Sequence, residues 1–289
     1  RLGHIACKRS NCGMHRAAAG SGSSPVKPIM VIDATMAQTP SLDQIQQVQE
    51  DEYVFPYHYM DLADEWHRKI AFLHYYARLN CAKELLAPYN GQRILDAGCG
   101  DGRFCFELRK ENVRLMGIDY SERALAFARA FVPGVEFVCG DLRELQVEER
   151  FDGCAMIETL EHIPPPEIES VLLGLRRLLK PGARLVITVP SVTIPIIDKH
   201  YQHFSEESLR KTLDGVFDVE QVLGLDQDNS WRVKYDKCVR MAGRLGPFRR
   251  KIKSLPDYIE RARAIYKEHL ERGPAVTARN LVAVCRNRG

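Results

Sequence analysis

The 289 residues are 45% apolar and 27% charged, with a formal net charge of +3, enough for one sizeable core with extensions or two small domains. So small a net charge does not by itself imply nucleic acid, and no apolar run reaches the eighteen or so residues needed to cross a bilayer. The nine cysteines are scattered and contain no CxxC pair, which argues against a zinc or disulfide scaffold and for reduced thiols in the cytoplasm.

In chain order, residues 1–40 are basic and have no acidic residue before Asp33. They lack the apolar core of a signal peptide. The segment is expected to be disordered, either a transit peptide or sequence upstream of a true start at Met30 or Met36. Residues 41–90 read as a helical cap. Within it, the run Trp66 to Leu86 puts Ile70, Leu73, Ala77, Cys81 and Leu85 near one face, and Pro88 and Gly91 end it.

From residue 91 to 225, apolar runs alternate with helical patterns. Strands are expected at Arg93–Ala97, Val113–Asp119, Val135–Cys139, Gly153–Ile157 and Ala183–Val189, the last of the type buried on both faces. Helices are expected at Gly102–Lys110, from a cap at Ser121 to Phe131, and at Glu167–Leu179, where Lys180-Pro181-Gly182 stops the stripe. Phe204 and Leu209 can staple a further helix capped by Ser205, before a strand at Val216–Leu223. This repeat predicts an α/β protein with a parallel sheet covered by helices. Residues 226–279 read as a basic helical insertion: Trp231 to Arg272 carries thirteen Lys or Arg against five Asp or Glu. Residues 280–289 are expected to hold the last core strand.

The strongest motif is Ile94-Leu-Asp-Ala-Gly98-Cys99-Gly100-Asp-Gly102, placed where a strand gives way to a helix. Open α/β sheets bind ligands there, and glycines let the backbone approach a ligand closely. A dinucleotide fold wants a third glycine at position 103, which is Arg. Asp96 is a poor neighbour for pyrophosphate and a good one for an ammonium or sulfonium group.

This run resembles the first motif of class I S-adenosylmethionine-dependent methyltransferases. The resemblance implies a doubly wound, mostly parallel, seven-stranded Rossmann-like sheet with a helical N-terminal cap and a helical insertion before the last strand. It also implies S-adenosyl-L-methionine as cofactor, held by Asp96, Gly98, Cys99, Gly100, Asp119, Tyr120, Asp141, Leu142 and Glu158. Asp119 looks like the carboxylate that grips the ribose hydroxyls, since a carboxylate offers acceptors only. Asp141 resembles the acceptor for the adenine amino group, with the Leu142 amide nearby, and Glu158 the residue near the methionine moiety.

Methyl transfer to oxygen needs an aligned nucleophile and a base. Glu158-Thr-Leu-Glu161-His162 and His200-Tyr-Gln-His203-Phe204 follow the fourth and fifth strands, so His162, His203 and Glu158 are the candidate catalytic residues. The leading expectation is transfer to a small-molecule or saccharide-like acceptor without a metal. The E-x-x-E-H pattern also resembles that of RNA 2′-O-methyltransferases, in which Glu158, Glu161, His162 and His203 would hold a divalent cation. A third reading is a non-catalytic cofactor-binding regulatory module. The cap residues Tyr53, Phe55, Tyr57, His58 and Tyr59, followed by His67 and Arg68, either line the acceptor pocket or form an aromatic core under the lid. Arg249-Arg-Lys-Ile-Lys253 in the insertion suits phosphates of RNA or of a small acceptor, an anionic membrane surface, or a plain solvated helix face. The missing base-stacking motifs disfavour RNA. The oligomeric state is left open.

Overall fold

The computed structural model describes residues 43–62, 73–227 and 272–289. Seven strands form one sheet: β1 (Arg93–Ala97), β2 (Arg114–Asp119), β3 (Glu136–Cys139), β4 (Phe151–Ile157), β5 (Leu179–Pro190), β6 (Phe217–Gln227) and β7 (Ala278–Asn287). They lie in the order β3-β2-β1-β4-β5-β7-β6. The first five are parallel, and β7 runs antiparallel to both β5 and β6. Chain order runs outward in opposite directions from β1 and β4, so the crevice at their C-terminal ends is the topological switch point.

The helices are α1 (Gln44–Glu52), α2 (Leu73–Leu86), α3 (Arg103–Leu108), α4 (Glu122–Phe131), α5 (Ile168–Leu178) and α6 (Glu206–Asp214). Side-chain alternation divides the central strands between two layers. In β5, Leu185 and Ile187 pack with Leu172 and Leu175 of α5, whereas Val186 joins Leu79 and Ala82 of α2 and Phe104 of α3. In β4, Cys154 and Met156 face the first layer, and Ala155 and Ile157 the second. A period of two on a sheet covered on both faces requires this division. The caps are local: Ser121 accepts from the Ala124 amide at 3.0 Å, and Ser205 and Ser208 form a reciprocal box at α6.

The cap departs from one continuous helical pattern. The first helix ends at Glu52, and Tyr57–Leu62 is a 3₁₀ turn. Pro56, with no amide hydrogen and a fixed φ, suits this break. In α2 the buried residues are Leu79, Cys81, Ala82 and Leu86, while Ala77 and Leu85 are only half-buried, so the buried face is rotated from the expected one towards the sheet. The Lys180-Pro181-Gly182 stop does end α5, but it lies within β5. Leu179 already pairs with Phe151 before a register shift places Arg184 opposite Gly153. The expected 1–40 extension and most of the 226–279 insertion, including Arg249–Lys253, lie outside the described residues, as do His67 and Arg68.

Gly174 lies mid-helix in α5, where glycine ordinarily costs about 1 kcal/mol relative to alanine. A Cβ there would stand 2.7 Å from the Leu142 carbonyl oxygen and 2.9 Å from Arg143 Cα, so the helix rests directly on the backbone after β3. Gly174→Ala is therefore expected to lower stability by about 1–3 kcal/mol in urea denaturation. A gain, as helix propensity alone would give, would refute this packing.

Candidate active site

The turn after β1 is built on backbone contacts. Gly98 and Cys99 both donate to the Ile118 carbonyl, at 2.8 and 3.0 Å, and Gly100 donates to Asp119 Oδ2 at 2.8 Å. Gly98 and Gly100 adopt φ of +73° and +52°, a region that favours glycine. A Cβ on Gly98 would stand 2.3 Å from Thr159, and one on Gly100 2.6 Å from the Tyr53 hydroxyl. Both glycines are thus required by contact as well as by conformation.

Two acidic groups beneath this turn are buried. Asp96, 3% exposed, is pushed up to about 7 by desolvation, against the opposing hydrogen bond from Cys105 Sγ at 3.4 Å. Asp119 is raised to about 6, again mainly by burial, although the Ser121 and Gly100 amides donate to it. Tyr120 is half-buried and its hydroxyl has no hydrogen-bond partner among the described residues. Asp141 is further out. Burial raises it, but the Arg143 fork and amide outweigh this and hold it below the usual range. Leu142 is buried beside α5.

A cavity of about 640 Å³ opens over the turn. Its floor is Gly98, Cys99 and Gly100; the α1 side contributes Tyr53, Tyr57 and His58, and α2 contributes Tyr75 and Arg78. The loops after β4 and β5 supply Glu158, Glu161, His162, Lys199 and His200, and β7 supplies Asn280. The geometry thus unites the glycine turn with the expected catalytic loop. Asp96, Asp119, Tyr120, Asp141, Leu142 and His203 do not line this cavity.

Glu158, at φ +50°, is held on every side. Arg78 donates to Oε2 at 2.7 Å, Thr188 to Oε1 at 2.9 Å, and the Asn280 amide to both oxygens. Glu161 is fully buried, neither carboxylate oxygen has a hydrogen-bond partner among the described residues, and burial holds it well above its ordinary value. His162 Nδ1 donates to the Lys199 carbonyl at 2.8 Å, so the neutral ring carries its lone pair on Nε2, 3.9 Å from Glu161. His203 Nδ1 donates to the Ile194 carbonyl, and its Nε2 therefore accepts from His200 Nδ1 at 2.8 Å. Both nitrogens of His203, an expected base, are thus occupied, and His200 stands at the cavity wall in its place. Burial, foremost, lowers His162 to about 4 and His200 to about 3. Ligand atoms of Glu161, His162 and His200 lie within 4.8 Å of one another. The metal set suggested by resemblance is therefore divided: Glu158 faces Arg78, Thr188 and Asn280, and His203 stands behind His200.

Sequence reasoning overlooked Arg78, Lys199 and Asn280 as site residues. Arg78 sits on the inner side of α2, one residue from the expected stripe. Asn280 was read only as the start of a strand, and nothing in the sequence marks it.

This open sheet with a reversed last strand and a glycine turn at its switch point is a doubly wound, Rossmann-like α/β domain. Residues 94–182 match the family described as "Methyltransferase domain". The chain is 34% identical over 118 residues to a ubiquinone biosynthesis O-methyltransferase of Alkalilimnicola ehrlichii, covering 38% of this chain and 47% of the relative. It is 37% identical over 107 residues to the protein of that name from Hahella chejuensis, covering 34% and 43%. The chain thus spans about half the length of these curated relatives. Among solved structures, N-methyltransferase NodS from Bradyrhizobium japonicum with S-adenosyl-L-homocysteine superposes with a TM-score of 0.54 at 17% identity, over 86% of this chain and all of that one. Magnesium protoporphyrin IX methyltransferase from Synechocystis gives 0.51 at 22% identity, over 64% and 91%. The superpositions give this chain a Rossmann-like α/β fold, and the methyltransferase-domain match falls on its first five strands.

Because the folded Asp96 holds its proton to about pH 7 and an unfolded aspartate does not, folding stability is lost as pH rises from about 4 through 7. Asp96→Asn should be no more stable than the parent at pH 4 and gain relative to it by pH 8. Paired chemical denaturation at the two pH values checks this. An unchanged difference would remove burial of this charge as the cause.

Proposed function

We propose that this chain is a methyltransferase that moves a methyl group from S-adenosyl-L-methionine to an oxygen of a small-molecule or saccharide-like acceptor. The observation that carries the proposal is one continuous cavity joining the Gly98–Gly100 turn to the Glu158–His162 loop. The match to a methyltransferase domain supports it, as do relatives named O-methyltransferases. The residues present suit such a cofactor. Bare backbone at Gly98 and Gly100 admits close approach, and Asp119 and Asp141, at the ends of adjacent strands outside the cavity lining, would accept from ribose hydroxyls and from adenine. The buried acidic groups Asp96 and Asp119 favour a positive neighbour. When bound, the cofactor supplies an electrophilic methyl group on a sulfonium.

The protein's part is alignment, exclusion of water and removal of a proton. Tyr53, Tyr57 and Tyr75 form an aromatic wall over the turn, and the Arg78–Glu158 pair bridges α2 and β4. Among the described residues no helix is long and apolar enough to cross a membrane, and the six described cysteines are free, which supports a reducing, cytoplasmic setting.

Two measurements test the proposal. Isothermal titration should show S-adenosyl-L-homocysteine binding, weakened at least about tenfold in Asp119→Ala, the loss of roughly 1.4 kcal/mol or more. Incubation with methyl-labelled donor and fractionated cell extract should put label into small metabolites. Label in RNA would redirect the acceptor class, and binding with no label in any fraction would indicate a regulatory module.

A second reading adds a divalent cation at Glu161, His162 and His200, favoured by the unpartnered carboxylate, by His162 Nε2 3.9 Å from it, and by ligand atoms of all three residues within 4.8 Å of one another. Mixed oxygen and nitrogen ligands of this kind suit Mg, Mn or Zn. EDTA should then abolish turnover, and added cation restore it, while homocysteine-nucleoside binding is unaffected. Full activity in EDTA rejects the cation.

A further inference from the structure

The proposed transfer to oxygen leaves a proton to be removed, and the histidines after β4 and β5 are poorly suited to take it. His162 points its lone pair at Glu161, and both ring nitrogens of His203 are taken by the Ile194 carbonyl and by His200.

His58 is held quite differently. It is the second residue of the 3₁₀ turn of the cap and lines the cavity with Gly100. Its Nδ1 lies 2.9 Å from Oδ1 of Asp101, a carboxylate with no exposed surface. A carboxylate only accepts, so Nδ1 carries the hydrogen and Nε2 the lone pair. Nε2 has no hydrogen-bond partner among the described residues. Asp101 Oδ2 also accepts from the His58 main-chain N–H at 3.2 Å, and Arg103 donates to the His58 carbonyl at 2.8 Å. The ring stacks on Tyr75 with centroids 4.4 Å apart and planes at 13°. Orientation and tautomer are therefore both imposed. The ring's Cε1 stands 3.8 Å from the position of a Cβ on Gly100, so the imidazole lies directly against the turn.

We infer that His58 is the general base of this methyltransferase, with Asp101 as the positioning residue that sets its tautomer and stabilises the imidazolium. The inference rests on the proposed O-methyl transfer. In the step, the acceptor oxygen forms the new bond to carbon as the carbon–sulfur bond breaks, and the sulfur keeps that electron pair. The hydroxyl proton passes to His58 Nε2. The resulting imidazolium is paired with Asp101 and then returns the proton to water. A buried carboxylate behind an imidazole, leaving the far nitrogen to the substrate, is an arrangement that histidine bases use on unrelated folds. Here the carboxylate follows directly on Gly100, so one turn would position both the methyl donor and the base.

The groups facing the His58 ring are Asp101 and Arg103 from the turn and α3, Tyr57 beside it, Tyr75 from α2, and His162 across the cavity.

The test uses the full chain and the acceptor fraction that takes label. His58→Gln should lower kcat by about 10²–10⁴, while titration shows S-adenosyl-L-homocysteine bound within about threefold of the parent. Added imidazole should partly restore His58→Ala, and Asp101→Asn should lower kcat with KM little changed and release His58 from the single Nδ1-protonated tautomer. His58→Gln with kcat within tenfold of the parent, or no imidazole rescue, overturns the assignment while leaving the methyltransferase reading intact. Loss of nucleoside binding by the parent itself would instead overturn that reading. An activity-independent check is 15N NMR of the labelled imidazoles: His58 should be Nδ1-protonated, and an Nε2-protonated ring refutes the dyad.

Discussion

The site depends on the Asp119 carboxylate and the two main-chain amides that it accepts. One belongs to Gly100 in the turn after β1, the other to Ser121 at the start of α4. A single side chain thus ties two adjacent strands and the next helix together at the switch point. The same burial strips water from the carboxylate, and two amides do not fully replace it, which is why its proton is held to about pH 6. A carboxylate has lone pairs beyond those two amides, so the group that organises the turn can also accept from a ligand.

Other parts of the crevice are referenced to that turn. Asp101 follows Gly100 and grips His58, Arg103 two residues further on holds the His58 carbonyl, and Tyr53 packs on Gly100. Cap and cofactor loop are therefore joined by buried polar contacts as well as by apolar ones. On the far side, Glu158 ties α2, β5 and β7 through Arg78, Thr188 and Asn280. Asp96, Asp119 and Glu161 all have their acidity suppressed by burial. A site with several under-solvated acidic groups is electrostatically suited to a positively charged ligand.

Much of the sheet was legible because its signals are local. Continuous apolar runs such as Ala183–Val189 mark strands covered on both faces, and Ser121 and Ser205 mark helix starts by offering an acceptor to free amides. The glycine turn and Asp119 were legible for the same reason, since each sits at a strand end recognisable by itself. The cap was not. Residues 41–90 read as helical without a break, whereas the chain leaves the helix at Tyr53–Pro56, and the buried face of α2 is rotated from the expected stripe because it packs between the sheet and α3 rather than on one flat surface.

The histidines show the same division most clearly. The residues themselves determined that acid–base groups would cluster after β4 and β5, because strand ends at a switch point share one edge. Which imidazole nitrogen is free was decided only by tertiary partners: the Lys199 and Ile194 carbonyls, His203 and Asp101. A tautomer is set by the hydrogen bond that the opposite nitrogen makes, and that partner is often distant in the chain, as Asp101 is from His58 by 43 residues. Sequence spacing carries no record of such a contact, so the fold could be read along the chain and the roles of its histidines could not.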